Sequence, residues 1–130
     1  MKFTKILIIP DSHTMIDVPN DRYTWAGKLA IQKNVDQIRH IGDLADFESL
    51  LTYDPISASK SDLHLELAHA QDSIRQLMKP IKEHNKYQAS IKKKQFTPEL
   101  VIHIGNHEQR IFKFKKAHPE LGNLLPEDFL

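Results

Sequence analysis

Short clusters of Asp, Asn and His follow a strand-like run at three places in this chain. They are Asp11 and His13 after residues 6–10, Asp43 after residues 38–41, and Asn106 and His107 after residues 100–104. Carboxylate, amide and imidazole groups are the oxygen and nitrogen ligands that divalent cations take in proteins. In an open parallel sheet, ligands bind at the carboxyl ends of the strands. If the apolar runs are strands of one such sheet, these side chains meet at a single binding edge.

The apolar runs themselves predict three parallel strands, at residues 5–9, about 36–41 and 100–104. The first is continuously apolar from Ile6 to Ile9, which is typical of a strand covered on both faces. Helical patterns between the runs make two βαβ-like connections, and such connections are right-handed in nearly all proteins. The sequence therefore predicts an α/β fold with a parallel sheet of about three strands and flanking helices.

Three helices are expected between and after these strands. The first spans about residues 23–34, with Trp25 packed in the core. The second begins near Ser59 or Ser61, where the spacing to Asp62 resembles a capping box. Its apolar face consists of Leu63, Leu67, Ala70, Ile74, Leu77 and Ile81. Pro80 is expected to kink this helix or to end it, because proline lacks the amide that a helix interior needs. The third follows the last polar cluster.

Composition places the chain among ordinary globular domains, and we treat residues 1–130 as one unit. The formal net charge is +1, so there is no overall signal for binding a polyanion. Cysteine is absent, which excludes disulfides and thiolate metal sites and fits a reducing compartment. The N-terminal apolar run stops at Pro10, too short for a signal-peptide core or a membrane span. We therefore expect a cytoplasmic protein with no membrane partner.

In chain order the three clusters read D-x-H, G-D-x-x-D and G-N-H-E. They resemble the motifs of the calcineurin-like metallophosphoesterase superfamily. Residues 42–50 and 105–110 are most similar to phosphoesterases of phages and prophages, for which the location would be the host cytoplasm. A single D-x-H is usually a polar turn after a strand. Three motifs in order, each after a strand-like run, carry the resemblance.

The resemblance implies a hydrolase of phosphomono- or phosphodiesters with two divalent cations in its complete site. Asp11 and His13 match ligands of the first metal, and Asp43 matches the carboxylate that bridges both. Asn106 matches a ligand of the second metal through its side-chain oxygen. His107 matches a histidine that is not a ligand and lies near the leaving group, a place suited to a general acid. Manganese, iron, zinc and magnesium all suit such ligands.

Several polar residues near the clusters have two interpretations each. Asp46 either orients its neighbours or caps a short helix. Tyr53 and Asp54 either line the mouth of the substrate site or form a turn before a proline. Arg110 is a candidate substrate-binding residue that anchors the phosphate, although an ion pair with a nearby glutamate explains it equally well.

Three histidines outside the motifs also have expected places. His40 and His103 each stand two residues before a motif glycine, so we expect them side by side beneath the site. We interpret both as hydrogen-bonded histidines that support the ligands, because buried polar groups need partners. His118 has a suitable ligand type, but it lies well beyond the His107 motif and is not expected to bind metal.

The family pattern continues with a lone metal-binding histidine and a G-H-x-H segment, and neither is recognisable in this sequence. The chain therefore resembles the N-terminal part of a family domain, with one sheet of the usual two-sheet sandwich. The second metal would keep only Asp43 and Asn106, and we expect it to bind more weakly. A sheet face left bare predicts self-association or a companion chain that supplies the missing half.

Two functional hypotheses follow. In the first, the chain belongs to a metal-dependent phosphoesterase whose substrate is a phosphate ester such as nucleic acid or a nucleotide, with very low activity on its own. In the second, it is a non-catalytic remnant or binding module that keeps the fold and at most one metal.

Overall fold

The computed structural model describes residues 2–50 and 62–120, and a parallel three-stranded sheet lies at their centre. The strands are β1 (Ile6–Ile9), β2 (Gln37–His40) and β3 (Glu99–Ile102), and they pair in that order. The predicted α/β class and the parallel pairing of the strands before Asp11 and Asp43 are confirmed. The third strand ends at Ile102, two residues earlier than expected.

Four helical segments accompany the sheet in the described residues: α1 (Asp21–Lys33), a short 3-10 helix (Glu48–Leu50), α2 (Leu63–Ser90) and α3 (Gln109–Ala117). Helix α2 begins after Asp62, whose carboxylate accepts hydrogen bonds from the amides of His64 and Leu65. The predicted start at Ser59 or Ser61 lies outside the described residues, as do Tyr53 and Asp54. None of the described helices is both long enough and apolar enough to cross a membrane.

Helix α2 continues through Pro80 to Ser90, so of the two predicted effects of Pro80 the end of the helix is wrong. The proline is instead part of the contact with α1. A Cβ atom added to Gly27 of α1 would lie 2.7 Å from Cγ of Pro80 and 2.2 Å from the carbonyl oxygen of Leu77. The two helices therefore approach closely, and only glycine fits at that point of α1.

The inner face of α1 consists of Tyr23, Gly27 and Ala30, all of which are buried. Trp25 is 73% exposed, so its predicted place in the core is wrong. Trp25 is two residues beyond Tyr23, which places it about 200° around the helix, away from the residues that face α2. The close contact through Gly27 leaves no room for a large side chain on the inner face.

The register of the sheet sorts its residues between two faces. Ile38 pairs with Leu7 and Leu100, and His40 pairs with Ile9 and Ile102. These two rows lie on the same face, because alternate residues of a strand point to the same side. Ile38 is fully buried and belongs to the hydrophobic core together with residues of α1, α2 and α3. This side of the sheet is therefore the side that the helices cover.

The opposite face is open on β1 in the part of the chain that the structure describes. Ile6 and Ile8 are 44% and 58% exposed. On β2 this face is polar, because Gln37 donates to Glu99 of β3 at 2.6 Å and Arg39 donates to Gln37 at 3.0 Å. Val101 of β3 lies in the same row as Arg39 and Ile8. The apolar character expected of a face covered by another layer is thus interrupted at β2.

Replacing Gly27 with Ala should destabilise the protein, because the new Cβ would overlap a backbone carbonyl that no rotamer change can move. The expected loss in the free energy of unfolding is about 2 kcal/mol, despite the better helix propensity of alanine. Urea denaturation followed by circular dichroism measures this loss. Gln32→Ala, at an exposed position of the same helix, is the control and should change stability by less than about 0.5 kcal/mol. Equal stability of the two variants would contradict the close contact.

Candidate functional site

The loops that follow β1 and β2 stay paired beyond the sheet. The carbonyl of Asp43 accepts hydrogen bonds from the amides of Ser12 and His13 at 3.2 and 3.0 Å, and the amide of Thr14 donates to Leu44 at 2.7 Å. Thr14 and Ala45 also form a parallel bridge. These bonds hold the D-x-H segment against the residues that follow β2.

His13 and Asp43 both adopt left-handed backbone conformations, with φ of 45° and 52°. Non-glycine residues rarely do so, and each instance costs on the order of 1 kcal/mol or more. His13 is therefore not extended, but its side chain still lies near those of Asp11 and Asp43. The possible ligand atoms of Asp11, His13 and Asp43 all lie within 4.8 Å of one another.

The end of β3 reaches the same place through a close backbone approach. A Cβ atom at Gly105 would lie 2.2 Å from Oδ1 of Asp43 and 2.3 Å from its amide nitrogen. Gly42 has φ of 111°, a conformation that residues with a Cβ rarely adopt. The amide of His107 then donates to Oδ1 of Asp43 at 2.9 Å. The two motif glycines thus let three strand ends meet around one carboxylate.

The side-chain amide of Asn106 faces Asp43, with one terminal atom 3.2 and 2.8 Å from the two carboxylate oxygens. Turned with its nitrogen towards Asp43, the amide donates to both oxygens. Turned with its oxygen, it presents a further oxygen to the point that the carboxylate faces. Two ligands about 3 Å apart suit one ion, because metal–oxygen bonds are about 2.1 Å long. The separation of Asn106 and Asp43 therefore fits both a hydrogen bond between them and shared coordination of one ion.

Glu108 is the residue that joins these loops, and it is completely buried. Its Oε2 accepts hydrogen bonds from the amides of Asp43 and Gly105 at 3.0 and 2.8 Å, and its Oε1 accepts one from Ala45 at 3.1 Å. Bonds of this charge-assisted kind contribute about 1.5–3 kcal/mol each. The carboxylate therefore fixes the loop after β2 to the loop after β3.

Asp46 contacts two histidines with one oxygen. Its Oδ1 lies 2.5 Å from Nδ1 of His13 and 3.0 Å from Nδ1 of His107, and the two rings are 4.9 Å apart. An ionised carboxylate only accepts, so both Nδ1 atoms carry the proton and donate. Nε2 of each imidazole takes no part in these two contacts. Of the two interpretations of Asp46, the structure shows the orienting one.

His13, Asp46 and His107 also form a group whose possible ligand atoms lie within 4.8 Å of one another. We assign this group to hydrogen bonding, because 2.5 Å between His13 and Asp46 is shorter than the separation of about 3 Å expected for two ligands of one ion. His13 can then use Nε2 towards Asp11 and Asp43 while Asp46 holds its Nδ1. Metal-ligating histidines are commonly oriented in this way by a carboxylate.

A buried chain of hydrogen bonds lies beneath the cluster. Nδ1 of His40 accepts from the amide of Gly42 at 3.2 Å, so Nε2 carries the proton and donates to Oγ of Ser12 at 2.7 Å. The hydroxyl of Tyr23 also donates to Oγ of Ser12. Burial lowers the pKa of His40 from its ordinary value of 6.5, against an opposing effect of Glu108, Asp11 and Asp43. The neutral imidazole is therefore the form that supports the site.

The expected pairing of His40 with His103 is half right. His40 is buried and hydrogen-bonded as predicted, whereas the side chain of His103 is exposed. The register pairs His40 with Ile102, so His103 is one residue out of step. A shift of one residue in a strand moves a side chain to the other face. His103 joins the site only through its amide, which donates to the carbonyl of His40 at 2.9 Å.

Two arginines lie at the margin of the cluster. Nη1 of Arg110 donates to the carbonyl of Asp46 at 2.5 Å, and Nη2 of Arg22 donates to the carbonyl of Ser12 at 2.7 Å. Among the described residues Arg110 forms no ion pair with a glutamate, so that interpretation of Arg110 finds no support. His118 lies at the far end of α3, 3.4 Å from Glu120, and takes no part in the cluster.

The structure thus brings together Asp11, His13, Asp43, Asn106 and His107, with Arg110 beside them. The sequence did not predict the hydrogen bonds by which Glu108 joins two loops. It also did not predict the buried hydrogen bond between Tyr23 and Ser12, or the position of Arg22. Of these, only Glu108 had a local signal, as the last letter of G-N-H-E. Comparisons of the chain with family models, curated proteins and solved structures gave no match.

Glu108→Gln should loosen the cluster with little change in volume. The side-chain oxygen of glutamine can accept from the amides of Asp43 and Gly105, as Oε2 of Glu108 does. Its NH2 group then faces the amide of Ala45, which is left without an acceptor. We expect a loss of about 1–3 kcal/mol in the free energy of unfolding, the cost of one unsatisfied buried donor and the lost charge. Chemical denaturation measures it. Glu83→Gln, exposed on α2, is the matched control, and equal effects of the two substitutions would contradict the role of Glu108.

The neutral state of His40 predicts how stability depends on pH. Because its folded pKa lies below 6.5, the unfolded chain binds the proton first as the pH falls. Stability from this group is therefore complete above pH 6.5 and is lost as the pH falls through 6.5 towards the folded pKa. Unfolding in EDTA at several pH values measures the slope, which His40→Gln should reduce. An NMR titration of the His40 ring with a midpoint at or above 6.5 would contradict this account.

Proposed function

We propose that this chain carries the metal ligands of the N-terminal part of a calcineurin-like metallophosphoesterase. Such an enzyme is a hydrolase that cleaves phosphate esters with the help of divalent cations. The observation that carries the proposal is the convergence of three strand ends on Asp43. Asp11 and His13 lie within ligand distance of it, and Asn106 lies 2.8 Å from its carboxylate. Asp43 itself is the candidate for the bridging ligand.

The donor set fits a divalent cation. Carboxylate and amide oxygens with one imidazole nitrogen suit manganese, iron, zinc or magnesium. When bound, such cations neutralise phosphate charge and lower the pKa of the attacking water. The surrounding amides and the carboxylate of Asp46 already fix the orientation of Asp43 and His13. The ligands therefore do not need to be reorganised before binding, which favours tight and specific coordination.

His107 is the group that we assign to proton transfer. Asp46 accepts from its Nδ1, which directs Nε2 away from Asp46. A protonated Nε2 can donate to the oxygen of the leaving group as the ester bond breaks. Asp46 is a positioning residue in this scheme, since it acts through His13 and His107.

Arg110 is the candidate for holding the phosphate. Its guanidinium is fixed by the carbonyl of Asp46, next to the two histidines. Only one of its amino groups is used in that bond, and the remaining donors can meet phosphate oxygens in the fork geometry that arginine provides. The substrate is a phosphate ester, with nucleic acid or a nucleotide as the class that a phage setting suggests.

The histidine ligands that follow these motifs in the family pattern must come from another source. A further segment or a companion chain, including a second copy of this chain, would supply them. The open face on β1 is the place where we expect it to pack, because Ile6 and Ile8 are exposed there. Without it the second cation is weakly held, and we expect phosphoesterase activity to be very low.

The alternative is a non-catalytic binding module that keeps this fold and at most one cation. The Asp46–His107 pair favours the enzyme, because a module that only binds a cation does not need a histidine held for proton transfer. The two hypotheses differ in whether removal of the His107 imidazole affects turnover without affecting metal affinity.

Asp43→Asn should weaken Mn²⁺ binding by more than about 100-fold, since losing even an outer partner of a ligand costs about 10–100-fold. It should also abolish any hydrolysis of bis-p-nitrophenyl phosphate, because no other residue of the chain matches the bridging position. Isothermal titration with Mn²⁺ and a colorimetric assay measure the two effects. Asp36→Asn is the control, because this exposed residue at the opposite edge of the sheet keeps an acceptor for the amide of Lys5. Unchanged Mn²⁺ affinity in Asp43→Asn would refute the proposed site.

A further inference from the structure

Arg22 has a charge that nothing in the described structure neutralises. It is exposed in the first turn of α1, and its Nη2 donates to the carbonyl of Ser12. Within residues 2–50 and 62–120 its guanidinium makes no ion pair with Asp or Glu. A hydrogen bond to a neutral carbonyl leaves the full positive charge and most of the N–H donors available.

The guanidinium of Arg22 is held against the D-x-H segment by two contacts. Ser12 stands between Asp11 and His13 in the chain, so the bond to its carbonyl attaches the guanidinium to the backbone of that segment. The ring of Tyr23 lies beneath it, with the guanidinium carbon 5.1 Å from the ring centroid. Tyr23 is itself buried and hydrogen-bonded to Ser12. These contacts restrict the side chain before any ligand arrives.

Arg22 and Arg110 lie on different flanks of the cluster. Arg110 is bonded to the loop after β2, beside the histidine pair that Asp46 orients. Arg22 is bonded to the loop after β1, the outer strand of the described sheet. A phosphate held by the cluster and Arg110 leaves Arg22 unused, on the side away from β3. An arginine in that place suits a second anionic group of the same ligand, because its fork matches phosphate oxygens.

We infer that Arg22 binds a second phosphate of the substrate, next to the phosphate that the cluster holds. The inference rests on the proposed function and adds to it a substrate with at least two phosphates. The second phosphate has two possible sources with the same chemistry. It is either the neighbouring phosphate of a nucleic-acid strand or a phosphate joined directly to the first, as in a nucleoside polyphosphate.

The test compares three thymidine ligands by titration calorimetry with the Mn²⁺-loaded protein and again in EDTA. Thymidine 5′-monophosphate has one phosphate, thymidine 3′,5′-bisphosphate imitates a strand, and thymidine 5′-diphosphate imitates a polyphosphate. Arg22→Ala should weaken one of the two-phosphate ligands by about tenfold or more, the usual effect of losing a charged hydrogen bond. It should leave the monophosphate unchanged. Arg22→Lys should restore part of the loss, since it keeps the charge but not the fork.

Arg75→Ala is the matched control, because Arg75 is exposed on α2 and paired with Asp72 instead of the cluster. It should alter none of the three affinities. A loss confined to the bisphosphate identifies a strand, and a loss confined to the diphosphate identifies a polyphosphate; either supports the inference. Equal affinities of wild type and Arg22→Ala for both would overturn it. So would an equal loss for all three ligands, which would mean that Arg22 only supports the loop.

Failure of this inference differs from failure of the proposed function. The proposed function fails when Asp43→Asn binds Mn²⁺ as well as wild type does, whatever Arg22 contributes. The inference fails when Arg22→Ala keeps the preference of wild type for two phosphates, or when wild type has no such preference. The titrations in EDTA show how much of the preference for two phosphates depends on the cation.

Discussion

The buried carboxylate of Glu108 is the constraint on which the site depends. It receives three backbone amides from the loops that follow β2 and β3, and a charge without solvent needs all of them. In return the loops cannot move apart without leaving a buried charge unpaired. The same loops carry Asp43, Asn106 and His107, and the D-x-H segment is bonded to them through the carbonyl of Asp43. One side chain that is not a ligand candidate thus sets the separation of those that are.

This rigid frame explains how the chain tolerates unfavourable backbone at its centre. His13, Asp43 and Phe47 have positive φ, and together they cost several kcal/mol by the usual range for such residues. Strain of that size persists only where the surroundings over-determine the conformation. Here the surroundings are the Glu108 bonds, the close approach of Gly105 and the paired loops. The result is a set of acidic groups and histidines held in place before a ligand binds.

Sequence patterns predict the parts of this structure that depend on short-range regularity. Apolar runs identified the three strands, and strand ends placed Asp11, Asp43 and Asn106 at one edge. The errors arose where a single residue of register or a specific helix contact decides the outcome. His103 is exposed because β3 ends one step out of phase with β2, and Trp25 is exposed because Gly27 brings α1 close to α2. The contacts of Glu108, Asp46 and Arg22 join residues that are distant in the chain, so no local sequence pattern predicts them.

The account is tested most directly by anomalous diffraction from crystals of the protein soaked in Mn²⁺. It predicts a peak bound by Asp11, Asp43 and Nε2 of His13, with Asp46 still on Nδ1 of His13. Weaker density beside Asn106 would mark a second, incompletely ligated ion. A peak among His13, Asp46 and His107 that leaves Asp11 and Asp43 without metal would contradict the account, as would the absence of any manganese at this edge of the sheet.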